Sequence, residues 1–388
     1  MTRRVAVTGI GVVSAFGNAF SDLWAGLAVG QSAIRPISCL PAGSVRFPNA
    51  AEAIHFQTAE YFDDKEASLL DRFTQMAAVA AREAVQTSGI SFPPELLEQT
   101  AIILGSSGGG KNTEDVGFHS LYARGEPRVS PFTIPRCMPN AAASRVSFEF
   151  GITGPVYTVS TACSSANHAI GQAFAMVRSG QVELALTGGS EAPFSLGFMK
   201  AWEAMRVVSP DTCRPFSRDR KGLILGEGAA VLVLEPLERA QARGAAILGE
   251  IVGFGMTSDA HHITQPSALG AARAMRQAIL DAGIDPSQIG YINAHGTGTT
   301  INDATETEAI KAVFGNHAQQ LLISSTKSMH GHALGAAGAL EAAATLGALR
   351  NKLLPPTANY TEPDPACDLN VIPNQPVRAE IEWALSNS

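Results

Sequence analysis

Short apolar runs alternate with longer amphipathic ones along most of this chain. Val5-Ala-Val-Thr8 is a strand-like run that ends at the turn Gly9-Ile-Gly11, and a helix is predicted over residues 20–29. Over residues 71–89 the apolar positions Phe73, Met76, Ala77, Ala80 and Ala84 recur at helical spacing, with Gly89 to end the turn. Residues 101–104 read as a short strand entering Gly105-Ser-Ser-Gly-Gly-Gly110. Residues 156–161 read as a buried strand that passes Cys163 into a run of helix formers closed by Gly180. Strands follow over 182–187 and 228–235, and Pro236 starts a helix that runs to Gly244.

The pattern then restarts. Residues 249–255 read as a strand and 268–283 as a helix with a terminal glycine. Tyr291-Ile-Asn-Ala294 is a short strand running into His295. Residues 321–325 form another, running into Lys327 and a long Ala/Gly-rich helix. The order strand, reactive residue, Ala-rich helix thus occurs near Cys163 and again near His332. Such an echo predicts two similar α/β halves packed back to back, each a mixed sheet covered by helices. We set the halves at 1–246, carrying the cysteine, and 247–388, carrying the two histidines.

Composition narrows the classes. At 388 residues the chain exceeds one compact core, and 45% hydrophobic against 16% charged residues supports large, well-covered cores. A net charge of -7 without a basic stripe argues against nucleic-acid binding. Five cysteines without framework spacing suggest a reduced, cytoplasmic protein. Met1-Thr-Arg-Arg4 leads straight into a strand, which leaves no room for a signal peptide's apolar core. The most apolar later stretch, 333–349, is rich in small residues and carries Glu341, so it fits a buried helix better than a membrane span.

Three stretches carry chemistry. Cys163 sits where a strand turns into a helix, whose N-terminus favours an anion, so the thiol is expected to be acidified and nucleophilic. A buried structural cysteine would give the same local pattern. Asn293-Ala-His-Gly-Thr-Gly-Thr299 places His295 in a glycine-rich loop at a strand end, and Ser324-Ser-Thr-Lys-Ser-Met-His-Gly-His-Ala333 places Lys327, His330 and His332 just before a helix. Ligands gather at the carboxyl ends of strands in such folds, so one cysteine and two histidines are expected to converge. Metal binding competes as a reading, but no carboxylate or second cysteine stands at zinc-ligand spacing nearby. The Gly105–Gly110 cluster has neither a Gly-Lys-Ser/Thr ending nor dinucleotide spacing, so a phosphate loop is disfavoured there.

These residues together resemble the β-ketoacyl-[acyl-carrier-protein] synthases of the thiolase fold, type II condensing enzymes in particular. The resemblance rests on Thr161-Ala-Cys-Ser-Ser165, Asn293-Ala-His-Gly-Thr297 and Ser325-Thr-Lys-Ser-Met-His-Gly-His332, followed by Leu334-Gly-Ala-Ala-Gly338. Arg214-Pro-Phe-Ser217, Leu225-Gly-Glu-Gly228 and Leu354-Pro-Pro-Thr-Ala-Asn359 add to it. Lys200-Ala-Trp-Glu-Ala-Met-Arg206 and Met329-His-Gly-His332 are most similar to the nodulation protein E subfamily. The resemblance implies a five-layered αβαβα fold and an acyltransferase that performs decarboxylative Claisen condensation. Cys163 is implied as the nucleophile, His295 and His332 as holders of the malonyl thioester carbonyl, and Lys327 as their electrostatic support. Thr297, Thr299, Thr264, Gly108 and Glu341 are implied as substrate-binding or site-ordering residues. His330 is given no catalytic role.

No cofactor or metal is implied, because substrates travel on the phosphopantetheine of an acyl carrier protein. Lys65 and Arg206 are the implied carrier-docking residues, with Arg72 and Arg128 behind them. A dimer is implied, either of identical chains or with a chain-length-factor-like subunit. Gly108 stands where relatives often carry a bulky aliphatic wall, so longer or bulkier acyl chains are expected to fit. The glycine-rich, Phe-containing loop and final strand of such enzymes are not found before Ser388, so the sequence is expected to be incomplete. A thiolase is the rival enzyme, but none of Cys39, Cys137, Cys213 or Cys367 lies in a block matching its second cysteine. A non-catalytic chain-length factor would lack Cys163.

Overall fold

The computed structural model describes residues 2–388. Its first sheet contains β1 (Val5–Val13), β2 (Thr100–Gly105), β3 (Val156–Val159), β4 (Leu184–Glu191), β5 (Gly228–Pro236) and β6 (Gly249–Ile251), in the spatial order β3-β2-β4-β5-β1-β6. Strands β3, β2 and β4 are parallel, whereas β5 runs antiparallel to both β4 and β1. The central strands β1, β2, β4 and β5 are buried at every position, as strands covered by helices on both faces must be.

The second sheet holds β7 (Ile289–Asn293), β8 (Leu322–Ser324) and β9 (Trp383–Ser386), ordered β8-β7-β9 and parallel throughout. This arrangement repeats β3-β2-β4 of the first sheet. Between the sheets lie α1 (Ser165–Ser179) and α2 (Ala337–Asn351), which pack on each other, α1 against the first sheet and α2 against both. One outer layer contains the helices Arg72–Ser88 and Ala141–Phe150, and the other contains Ala268–Ala282 and Thr300–Phe314. The result is the five-layered α/β arrangement of the thiolase fold.

The middle layer is the driest part of the molecule. From α1, Ala166, Ala169, Ala173, Phe174 and Val177 join Ala336, Ala339, Leu340, Ala343 and Ala344 of the α2 region in one buried cluster with Val7, Ile103 and Leu232. Small residues here let helix and sheet approach closely. A Cβ built on Gly105 would stand 2.3 Å from the Ala166 nitrogen, so only glycine lets the first turn of α1 rest on the end of β2.

Several elements differ from their predicted bounds. β1 runs on through Gly9-Ile-Gly11, read as a turn, to Val13 because those residues pair with β5. β3 ends at Val159 and is only half-buried over most of its length. β4 continues to Glu191, beyond the predicted end at 187, because Gly188 (φ 142) lies directly against the Ala230 carbonyl of β5. The strand expected over 249–255 pairs only as far as Ile251, and the Phe254 N–H donates to the Asp281 carboxylate instead of to a ladder. Although it follows the proposed boundary at 246, β6 adds to the first sheet through β1.

Candidate active site

Cys163 stands between β3 and α1 in a turn held by its neighbours. Ala162 has φ 53, a conformation that costs a non-glycine residue energy. Ser165 holds it there. Its hydroxyl accepts the Thr161 N–H at 2.9 Å and donates to the Ala162 carbonyl at 2.6 Å. The sulfur thereby sits at the start of a 15-residue helix. Burial nevertheless pushes the thiol up to about 11, with Lys327 opposing the rise and Glu341 and Glu191 adding to it. The acidified thiol expected from the helix N-terminus is thus corrected: loss of water outweighs the favourable pole.

His332 is delivered by a strand-like segment that makes an isolated parallel bridge to Leu225. Its N–H donates to the Ile224 carbonyl at 2.7 Å, and its own carbonyl accepts from Gly226. The Leu334 N–H donates to Nδ1 at 3.2 Å, so in the neutral ring the proton sits on Nε2, which lies 3.1 Å from Cys163 Sγ. The His295 ring stands edge-on to it, with centroids 5.4 Å apart and planes at 88°. The His295 and Gly296 N–H groups both donate to Glu306, which anchors this loop from the helix Thr300–Phe314. Both imidazoles are held well below the ordinary histidine range by burial, with the Lys327 cation adding to the effect. Both rings are therefore neutral at neutral pH.

Lys327 forms a fully buried ion pair with Glu341 of α2. Burial raises the Glu341 carboxyl to about 7 against the pull of Lys327. His330 points away from the cysteine, its Nε2 paired with the Thr326 hydroxyl at 3.0 Å, and burial lowers it to about 3.

Cys163, His295 and His332 bring one sulfur and two ring nitrogens within 4.8 Å of one another. That set of donors resembles a metal site, but the chemistry does not fit one. His332 Nε2 must carry the ring proton while Nδ1 accepts from Leu334, and a metal would face the nearby Lys327 ammonium. The three atoms fit a thioester carbonyl better, with a nucleophile on one side and N–H donors on the other.

The three residues close the floor of a cleft of about 510 Å³, also lined by Thr297, Thr299, Thr264 and Arg206. Thr297 and Thr299 share a hydroxyl hydrogen bond of 2.9 Å. Arg206 is exposed at this cleft, whereas Lys65 lies exposed on the separate helix Asp64–Ser68. Arg72 is committed elsewhere, pairing with buried Glu227 at 2.8 Å and donating to the Ala53 carbonyl, which removes it as a docking candidate. Arg128 is exposed beside a different cavity. Gly108 faces Glu191 and Lys111, and a Cβ there would stand 3.0 Å from Glu191 Oε1.

Cys213 is buried behind the His295 loop, with its sulfur donating to the Thr297 carbonyl. Glu306 and Glu191 were not found from the sequence. Among the described residues no helix is long and apolar enough to cross a membrane.

Comparison with known proteins agrees with this geometry. The family model for the β-ketoacyl synthase N-terminal domain matches residues 2–240, and that for the C-terminal domain matches residues 248–361. Nodulation protein E of Rhizobium sp. (strain N33) is 46% identical over 388 residues, covering 100% of this chain and 96% of that protein. The 3-oxoacyl-[acyl-carrier-protein] synthase 2 of Staphylococcus aureus (strain COL) is 40% identical over 393 residues, covering 100% and 95%. Among solved structures, the ishigamide ketosynthase/chain length factor superposes with a TM-score of 0.95 at 37% identity, covering 100% and 96%. A type II polyketide acyl-carrier protein in complex with its ketosynthase bound to the hexaketide superposes at 0.90 with 30% identity, again covering 100% and 96%.

Proposed function

The chain belongs to the β-ketoacyl synthase family, and from that premise we propose that Cys163, His295 and His332 carry its condensation. The protein is a 3-oxoacyl-[acyl-carrier-protein] synthase, an acyltransferase that acts on carrier-bound thioesters. In our reading the Cys163 sulfur attacks an acyl thioester, the carrier's pantetheine thiol leaves with the proton, and the acyl group rests on the cysteine. A malonyl thioester then enters, with its carbonyl oxygen between the N–H groups of His295 and His332. The bond to the carboxylate breaks, carbon dioxide departs, and the electron pair stays as an enolate held by those donors. The enolate carbon attacks the acyl-Cys163 carbonyl and expels the sulfur, which takes a proton. The product is a 3-oxoacyl carrier protein.

One observation supports this division of labour above the others: the His332 Nε2–H faces the cysteine while Nδ1 is occupied by a backbone N–H. A ring fixed in that state donates a hydrogen bond and cannot serve as the base. Lys327 supports the pair electrostatically, and Glu341 balances its charge inside the protein. Thr297, Thr299 and Thr264 line the path of the pantetheine arm, and Arg206 and Lys65 meet the acidic carrier. The two halves, 1–246 and 247–388, each supply one side of the site.

The neighbour solved with an acyl-carrier protein supports a carrier partner, and the ketosynthase/chain length factor supports a dimer of like or unlike subunits. All five cysteines are free, in keeping with a cytoplasmic setting. In our reading Gly108 borders the acyl pocket, so Gly108→Ile should shorten the products, and unchanged chain lengths would count against that role. The overall reading is tested by alkylation. Iodoacetamide should label Cys163 and abolish malonyl-dependent condensation in proportion, whereas condensation that survives full labelling would overturn it.

A further inference from the structure

Glu191, at the last position of β4, is the most heavily hydrogen-bonded carboxylate near the site, and the chemistry above does not use it. It is 1% exposed. Its Oε2 accepts from the Ser107 N–H and hydroxyl, both at 2.7 Å, and from the Gly335 N–H at 3.0 Å. Its Oε1 accepts from the Gly108 N–H at 3.0 Å and the Ser106 hydroxyl at 3.3 Å. The glycine-rich loop after β2 therefore directs its donors at the protein's own Glu191 carboxyl, even though burial raises that group above the ordinary carboxylate range.

The two sides of this cluster lead to different parts of the reaction. Ser106, Ser107 and Gly108 belong to the first half and carry the proposed acyl-pocket wall. Gly335 belongs to the second half and follows Leu334, whose N–H fixes His332 through Nδ1. Leu334 has φ 47, a strained conformation for a residue with a Cβ. The Glu191–Gly335 bond holds the peptide immediately after that residue. A neutral amide in place of the carboxylate would point a donor at a group of donors, leaving at least one of them unmet.

We infer that Glu191 is a positioning residue for the condensation: by clamping Gly335 to the Ser106–Gly108 loop it holds the Leu334 N–H on His332 and so fixes which ring nitrogen of His332 faces the substrate. The inference rests on the functional reading above and adds to it the residue on which the oxyanion donor depends. It also ties the acyl-pocket wall and the malonyl-binding histidine to one carboxylate, so that a shift of the first is felt by the second.

The test compares the parent chain with Glu191→Gln and with the milder Ser107→Ala. Malonyl carrier decarboxylation in Glu191→Gln should fall about tenfold to a hundredfold in kcat, with KM nearly unchanged, the scale expected from a small misplacement of a reacting group. Alkylation of Cys163 by iodoacetamide should hold or quicken, because Glu191 is among the charges that disfavour the thiolate. Ser107→Ala, which removes only one hydroxyl donor, should lose several-fold. Nitrogen-15 spectra of the histidines should show His332 as the single Nε2–H form in the parent and as mixed forms in Glu191→Gln.

Decarboxylation and alkylation that fall together, with His332 unchanged in the folded fraction, would overturn the inference. If the parent itself fails to decarboxylate malonyl carrier, the functional reading falls, and the histidine spectra still decide whether Glu191 positions His332.

Discussion

At the scale of single residues, the site rests on charged and polar groups taken out of water and held by specific partners. Lys327 and Glu341 are the extreme case, both fully buried. Lys327→Ala should cost about 3–5 kcal/mol, because it strands a buried carboxylate, whereas a Lys327→Met/Glu341→Leu pair should regain most of that stability. Denaturation midpoints check the first half of this prediction. Condensation assays check the second: the double variant should fold and still fail to turn over.

The buried histidines weaken the fold toward acid pH. His330 is lowered from 6.5 to about 3. Between those pH values the unfolded chain binds a proton that the folded chain refuses, so stability must fall as pH drops through that window. His295 and His332 shift in the same direction. His330→Thr should flatten the dependence of the denaturation midpoint on pH between about 6 and 4, and an unchanged slope would refute the assignment.

The residues proposed as reactive were legible in the sequence because each stands where a strand-like run breaks into glycine or a helix. Cys163, His295 and His332 all have that signature. Glu191 has none: after Gly188-Gly189-Ser190 it reads as part of a turn, and only the depth of β4 shows that it is buried. The thiol's direction of shift was misread for a related reason. A helix N-terminus is visible in sequence, but the burial that outweighs it depends on how distant segments pack around Cys163.

At the scale of elements, the position of Cys163 depends on how closely α1 can lie on the first sheet. Gly105 and Ala166 are the point of contact. Gly105→Ala should push the first turn of α1 off β2, costing about 1–3 kcal/mol by overpacking. It should slow Cys163 acylation more than it lowers thermal stability, read by burst-phase acylation and calorimetry. The helices that were legible are those with marked ends: Asp71 and Gly89 bound one, and Gly180 and Gly283 close two others. Ala141–Phe150 and Thr300–Phe314 of the outer layers were not read from the sequence. The second sheet was less so. Its strands are only three to five residues long, and pairing, which periodicity does not report, decides where such strands end.

At the scale of the whole molecule, two halves with the same strand order meet, one holding Cys163 and the other His295 and His332. The echo between the Cys163 and His332 regions predicted that duplication, and the order β3-β2-β4 against β8-β7-β9 gives it physical form. A chain with net charge -7 that serves an acidic carrier needs its cations placed locally. Arg206 stands at the cleft and Lys65 does not. Arg206→Glu should therefore raise KM for the carrier substrate about tenfold at low salt, and Lys65→Glu less, with the difference shrinking at high salt.

The central claim is that a thiol and two neutral imidazoles join an acyl group to a decarboxylated malonyl unit. Intact-mass analysis of carrier proteins after incubation with acyl and malonyl carriers tests it most directly. A carrier bearing a 3-oxoacyl chain two carbons longer than the starter should form with the parent protein and be absent with Cys163→Ala. Recovery of the starter and malonyl carriers unchanged, or the same product from Cys163→Ala, would contradict the account.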